Sequence, residues 1–447
     1  MAEHEPPRER REAKTMMLER VALLCLSVAR KALPATQDGH ALGLLGQDAQ
    51  APEVKRSAPC NPDAVHALHL DVPRCPSAMV ASCIEMCHNR DKRHHSIVLT
   101  ETERLVKRLP LIVAILLVVS TGSIHALEPA DPKANAKARA ILNYLERLPQ
   151  RTDKRLLSGQ FTDCGPNANL ALCGEIHEKT GHWPAIIGLD YADFAKGGLE
   201  YKTVNRVAIE YAQQGGLVTI SAHLYNPANP KSRGPWEQGA DLNKLLTPGN
   251  DAHDRWMKEL DIMAAGLKEL QDAEVVVLWR PFHEMNGGWF WWGAKEPETF
   301  IRVWRHMFDY FTKTKGLNNL LWVYSPNHGE KTAAYYAGDH YVDIVGLDAY
   351  TDFVDPRHIR GYEAVAKLPK PFAFTEFGPY GPHNPPGNYD YLRFLDGVQK
   401  HFSKTTFFLA WSSKWSLGRN RNAKQLLENP WLVNREDLPD AFAAQKR

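Results

Sequence analysis

The sequence predicts an α/β fold of the (β/α)8 TIM-barrel type, carried by one domain over residues 127–447 behind a leader. Three observations carry that expectation. Eight short runs rich in β-branched and aromatic residues recur from residue 156 onward. Several, such as Val275-Val-Val-Leu-Trp279, are continuously apolar rather than alternating, as parallel strands covered on both faces require. Longer amphipathic stretches separate many of them, and no GxGxxG follows a strand to favour an open dinucleotide-binding sheet.

In chain order, Lys133–Leu148 reads as a helix ahead of the first strand. The strand candidates are Leu156–Phe161, Pro184–Tyr191, Gly216–Leu224, Glu274–Arg280, Leu320–Ser325, Val342–Tyr350, Phe372–Phe377 and Phe407–Trp411. Helices are expected at Tyr201–Gln214, Asp251–Asp272, Pro297–Lys315 and Asn388–Ser403. From Asp254 to Leu267 the apolar spacing is near 3.6 with charges between, which suits a helix outside a barrel.

Composition divides the chain. All 12 tryptophans fall between Trp183 and Trp431, whereas residues 1–103 are rich in charge, Pro and Cys and read as a disordered leader or one outside the native protein. Residues 104–126 resemble a signal peptide: a basic flank, the apolar run Leu111–Val119, then small residues. That run is too short for a membrane span of ~20 residues. A signal so far from Met1 suggests a start nearer Met86, the other reading being an extension with an internal anchor. Cleavage near Ala126 would export the domain, so the expected location is secreted or periplasmic. Cys164 and Cys173 are the two cysteines after the signal; they read as a disulfide closing a Gly/Pro/Asn-rich loop, or else as free thiols. The net charge of +2 belongs to the leader, so nothing points to nucleic acid or an anionic membrane as partner.

Function in a barrel collects at strand ends, and here these carry Gln160, Asp190, His223, Arg280 to Glu284, Asn327, Asp348 to Tyr350, Glu376 and Trp411. Carboxylates, His and aromatics are the equipment of glycoside cleavage: one carboxyl protonates the leaving oxygen and another attacks or activates water, while rings stack on sugars. Glu284 ends an apolar strand beside Trp289, Phe290, Trp291 and Trp292, which would desolvate it and raise its pKa, as a general acid needs. Glu376 lies in Phe372-Ala-Phe-Thr-Glu-Phe-Gly378, with Arg280 positioned to keep it ionised; a structural ion pair is the alternative. His283-Glu284 does not open a zinc-binding HExxH helix, because Gly287 stands where the second His would be. Trp236 is either a loop platform for a distal sugar or a packing residue, and Asn327 and His328 either line the cleft or cap a loop.

The run Arg280-Pro-Phe-His-Glu-Met-Asn-Gly-Gly-Trp-Phe-Trp-Trp292, with Phe374-Thr-Glu-Phe-Gly378, resembles glycoside hydrolase family 26, whose main members are endo-β-1,4-mannanases. Ser221-Ala-His-Leu-Tyr-Asn-Pro227 and Val345-Gly-Leu-Asp-Ala-Tyr350 support it, and the resemblance covers about residues 133–430. It implies Glu284 as acid/base after strand four and Glu376 as nucleophile after strand seven. It further implies that His283 touches the nucleophile or substrate, Trp289 floors the cleavage subsite and Tyr350 bonds the nucleophile. His223 would contact the non-reducing-side sugar, and Trp411 would stack at strand eight. Ser412 departs from members that carry Arg there.

The expected activity is therefore retaining, endo-acting hydrolysis of mannan, galactomannan or glucomannan by a monomer, with carboxyl groups about 5–5.5 Å apart. Mixed-linkage β-glucan or β-1,3-xylan is the alternative substrate, and a catalytically inactive glycan-binding barrel the alternative class. No cofactor or metal is expected, since no ligand set is visible.

Overall fold

Eight parallel strands close on themselves in the structure, a computed structural model that describes residues 127–237, 239–380 and 387–445. They are β1 (Gly159–Cys164), β2 (Ile186–Asp190), β3 (Leu217–Ser221), β4 (Val277–Arg280), β5 (Leu320–Tyr324), β6 (Ile344–Tyr350), β7 (Phe372–Gly378) and β8 (Thr405–Ala410). Each pairs with the next, and Gln160 of β1 pairs with Ala410 of β8 to close the barrel. Two-residue strands, Leu156–Leu157 and Leu432–Val433, pair with each other, and Leu157 also pairs with Phe407 at the base of β8. The leader and signal-like segment expected at 1–103 and 104–126 lie outside the described residues. Among the described residues, no helix is long and apolar enough to cross a membrane.

Helix α1 (Ala136–Arg147) precedes the barrel; α2 (Ala171–Thr180), α3 (Lys202–Gln213), α4 (Asp251–Asp272), α5 (Pro297–Asp309) and α6 (Tyr391–His401) connect strands. Their stripes explain their docking. In α5, Pro297 starts the helix and Phe300, Val303, Trp304, Met307 and Phe308 recur on one buried face, each contributing up to ~1.5–3 kcal/mol. Asn250 caps α4 by accepting from the Ala252 and His253 N–H groups.

The strand–helix alternation is not uniform: the β5–β6 and β6–β7 connections hold only a 3-10 turn (Asp339–Tyr341) and a four-residue helix (Tyr362–Val365). One expectation is corrected. The stretch read as a loop bridged by a disulfide contains the first turn of α2, and Cys164 and Cys173 are both free. Cys173 lies wholly buried in the apolar layer with Ile176, while Cys164 sits at the end of β1.

Inside the barrel, side chains change character with height. Leu157, Ile186, Leu217, Leu278, Leu321, Ile344, Ala373 and Phe407 fill the base, where α1 covers them with Ile141, Leu142 and Leu145. Two residues higher along the inward rows the side chains shrink or become polar, to Gly188, Thr219 and Gly346. A Cβ on Gly346 would stand 2.7 Å from Thr375 Oγ1, so only glycine fits. Two residues higher again stand Asp190, Ser221 and Asp348, and Arg280, two residues above Leu278, pairs with Ser221 at that level. β7 breaks this alternation. Its register with β6 shifts so that Leu347 pairs with Phe374 but Asp348 with Glu376, leaving Thr375 as an extra residue. That bulge aims both Thr375 and Glu376 inward, onto Asp348 and Arg280 respectively.

Candidate active site

Arg280 organises the mouth of the barrel from below. Its Nη1 donates to Asp348 Oδ2 at 3.0 Å and its Nη2 to Glu376 Oε1 at 2.5 Å. Burial alone would weaken its hold on the proton, but Glu376 and Asp348 outweigh that, and it stays cationic. Asp348 also accepts from the Ser325 and Thr375 hydroxyls, both at 2.7 Å. Glu376 accepts from the Tyr350 hydroxyl at 2.7 Å through Oε2. Burial first, then Glu376, push the Tyr350 hydroxyl well above its ordinary pKa, so it remains a donor.

Glu284 reaches the same mouth by a different route. β4 ends at Arg280, and Glu284 lies four residues on, in a turn where Phe282 and Glu284 adopt positive φ of 52° and 55°. Such backbone is costly for residues with a Cβ and persists only when its surroundings hold it. Here the Glu284 N–H donates to Ser325 O at 2.7 Å. The Trp292 indole donates to His283 O and the Trp291 indole to Leu224 O. Trp289 donates its own indole N–H to Glu284 Oε2 at 2.6 Å. Burial pushes the Glu284 carboxyl well above the usual range, and the nearby charges of Glu376 and Asp348 add to it; Trp289 and Arg280 oppose.

One oxygen from each of Glu284, Asp348 and Glu376 lies within 4.8 Å of the others. The three could share a cation by distance, but Arg280 already places its guanidinium on Asp348 and Glu376. The arrangement holds one carboxyl that favours its proton beside one fixed by an arginine and a tyrosine. That asymmetry is what acid/base and nucleophilic roles on neighbouring carboxyls demand.

The remaining sequence-predicted residues divide by exposure. Trp289 (40%) and Trp236 (61%) are open to solvent, and Trp236 stacks on Phe194 at 5.4 Å, within 6.2 Å of His223. Trp411 stacks on Phe161 at 3.9 Å beside the end of β8. Arg280 and His283, at 1% exposure each, lie beneath the cleft surface rather than on it. His283 bonds His223 rather than Glu376, through their Nε2 atoms 3.0 Å apart. Asn327 donates its backbone N–H to Asn286 Oδ1 at 2.8 Å and its side-chain Nδ2 to His328 O at 2.9 Å. Asp348, although it ends a strand in the motif read from sequence, had no assigned role there; the row Ile344, Gly346, Asp348 is the period-two signal that points it inward. Trp415, which packs edge-on against Tyr350 at 5.5 Å, had no such signal.

The model of glycosyl hydrolase family 26 matches residues 130–437. The chain belongs to that family. A mannan endo-1,4-beta-mannosidase of Bacillus subtilis strain 168 is 37% identical over 334 residues, covering 70% of this chain and 90% of that protein. The mannan endo-1,4-beta-mannosidase A and B of Caldalkalibacillus mannanilyticus is 38% identical over 330 residues; the match covers 69% of this chain and spans 63% of that longer protein. Among solved structures, the YdhT protein of Bacillus subtilis superposes with a TM-score of 0.67 at 35% identity, covering 72% of this chain and 99% of that one.

Proposed function

We propose that this family 26 member is an endo-acting β-mannanase that cleaves β-1,4-mannosidic bonds by retaining double displacement. The observation that carries the proposal is the approach of Glu284 and Glu376 oxygens to within 4.8 Å. That lies near the ~5–5.5 Å of retaining sites and short of the ~6.5–9.5 Å that an inverting site leaves for water. Glu376 attacks the anomeric carbon while Glu284 gives its proton to the leaving oxygen. Glu284, now a base, takes a proton from the water that releases the sugar and restores Glu376. Tyr350 orients Glu376, and Trp289 floors the bond being cut.

The mannan substrate is supported by the relatives, which are named for it over most of this chain's family-matched length. His223, Trp236 and Trp411 would meet the sugars on either side. The enzyme would act as a monomeric domain of residues 127–447, exported by the basic-flanked apolar segment at 104–126. Reducing-sugar release from mannan, galactomannan, barley β-glucan and β-1,3-xylan by residues 127–447, beside Glu376→Ala, tests the reading. Release from the mannans alone, lost in the variant, is the expected result. Release from glucan or xylan instead overturns the substrate, and silence on all four from folded protein overturns the activity.

A further inference from the structure

Asp190, at the end of β2, is wholly buried and makes four hydrogen bonds. Its Oδ1 accepts the backbone N–H of Ala192 at 2.7 Å and of His223 at 3.1 Å. Its Oδ2 accepts the Ser221 hydroxyl at 2.5 Å and faces His223 Nδ1 at 2.8 Å. Burial disfavours its charge, but His223 and these donors outweigh that and hold the carboxyl below its ordinary range. An ionised carboxylate only accepts, so His223 carries a proton on Nδ1.

The other nitrogen of His223 lies 3.0 Å from His283 Nε2, a distance that holds one proton between them. His283 Nδ1 is buried without a hydrogen-bond partner among the described residues. A bare lone pair is tolerated in such a place better than an unpaired N–H. The ring is also held neutral, by burial first and further by the nearby Arg280 guanidinium. Its single proton therefore sits on Nε2 and points at His223.

We propose that Asp190 is a positioning residue that sets the direction of the whole Asp190–His223–His283 chain, and through it the placement of His283 and the adjoining Glu284. The two backbone donors pin Oδ1, so in an Asp190→Asn variant the amide nitrogen must take the place of Oδ2. It would then donate toward His223 Nδ1, moving that proton to Nε2 and forcing the His283 proton onto Nδ1, where nothing receives it. The ring then rotates away, and the turn at Glu284 follows.

The inference rests on the reading of this cleft as a retaining glycosidase site, but its test does not need substrate. Nitrogen-15 spectra of labelled histidines at neutral pH, with the two rings assigned by His223→Gln and His283→Gln, read the tautomers directly. The wild type should show His223 protonated on Nδ1 and His283 on Nε2, and Asp190→Asn should show both reversed. The variant's kcat on mannan should fall about 100-fold with KM nearly unchanged, as when a carboxylate that fixes a histidine tautomer is replaced by its amide. A wild-type His283 protonated on Nδ1, or a His283 tautomer unmoved in Asp190→Asn, overturns the proposal. If the variant fails to fold, the wild-type spectrum alone decides.

Discussion

Trp289 donates its indole N–H to Oε2 of Glu284 across 2.6 Å while 40% of the tryptophan remains open to the cleft. In the proposed mechanism one residue thus offers a ring to the sugar and a hydrogen bond to the acid, and the two roles separate by substitution. Trp289→Phe keeps a ring and removes the bond. That bond favours the charged form of Glu284, so its loss raises the Glu284 pKa further. A general acid must be protonated, so the alkaline limb of kcat/KM should move to higher pH, with kcat/KM at its optimum about tenfold lower. The pH–rate profile of the variant checks this; a limb displaced to lower pH contradicts it.

Glu284→Ala should separate the two chemical steps. Without an acid, mannan cleavage should fall about 1,000-fold, whereas an aryl β-mannoside with a dinitrophenolate leaving group, which needs no proton, should lose far less in its first step. Added azide, taking the place of the water that Glu284 would activate, should restore turnover as β-mannosyl azide. Product analysis by mass spectrometry and NMR reads the result.

Arg280→Met should act on stability as well as activity. Asp348 and Glu376 would share the barrel mouth with no cation between them, and breaking a buried pair of this kind costs about 3–5 kcal/mol. Urea unfolding of the variant, compared through an unchanged m-value, gives the number.

Trp236→Ala should leave stability within about 0.5 kcal/mol, because the ring is mostly exposed and stacks only at its edge of the cleft on Phe194. Its loss should appear in kcat/KM for long manno-oligosaccharides and not for the shortest ones cleaved. Equal loss at every chain length would assign Trp236 to packing.

Cys164 and Cys173 should titrate as two free thiols in unfolded residues 127–447, and reductant should leave the urea midpoint unchanged. A disulfide here would instead contribute roughly 2–3 kcal/mol that reductant removes.

The strands were legible because parallel barrel strands are apolar on both faces, and each of the eight runs overlaps one. What hid the rest is physical. Helix α2 carries Gly174 and a weak apolar stripe and follows a stretch rich in Gly, Pro and Asn, so its first turn read as a loop, and the cysteines on either side of its start read as a bridge. The turn holding Glu284 depends on positive φ and on indole N–H groups from three tryptophans, which sequence spacing does not display. Glu376 points inward only because of the bulge at Thr375; strict alternation from Ala373 would turn it outward. Asp348 and Asp190 follow the inward rows, but a carboxylate two residues above a glycine does not announce that an arginine or a histidine will meet it.

The most direct test of the account is to trap the intermediate with a 2-deoxy-2-fluoro-β-mannosyl fluoride, whose fluorine slows release more than attack, and to map the adduct by peptide mass spectrometry. The account predicts one mannosyl ester, on Glu376. An adduct on Glu284 or Asp348, or steady inversion of configuration with no adduct, would contradict it.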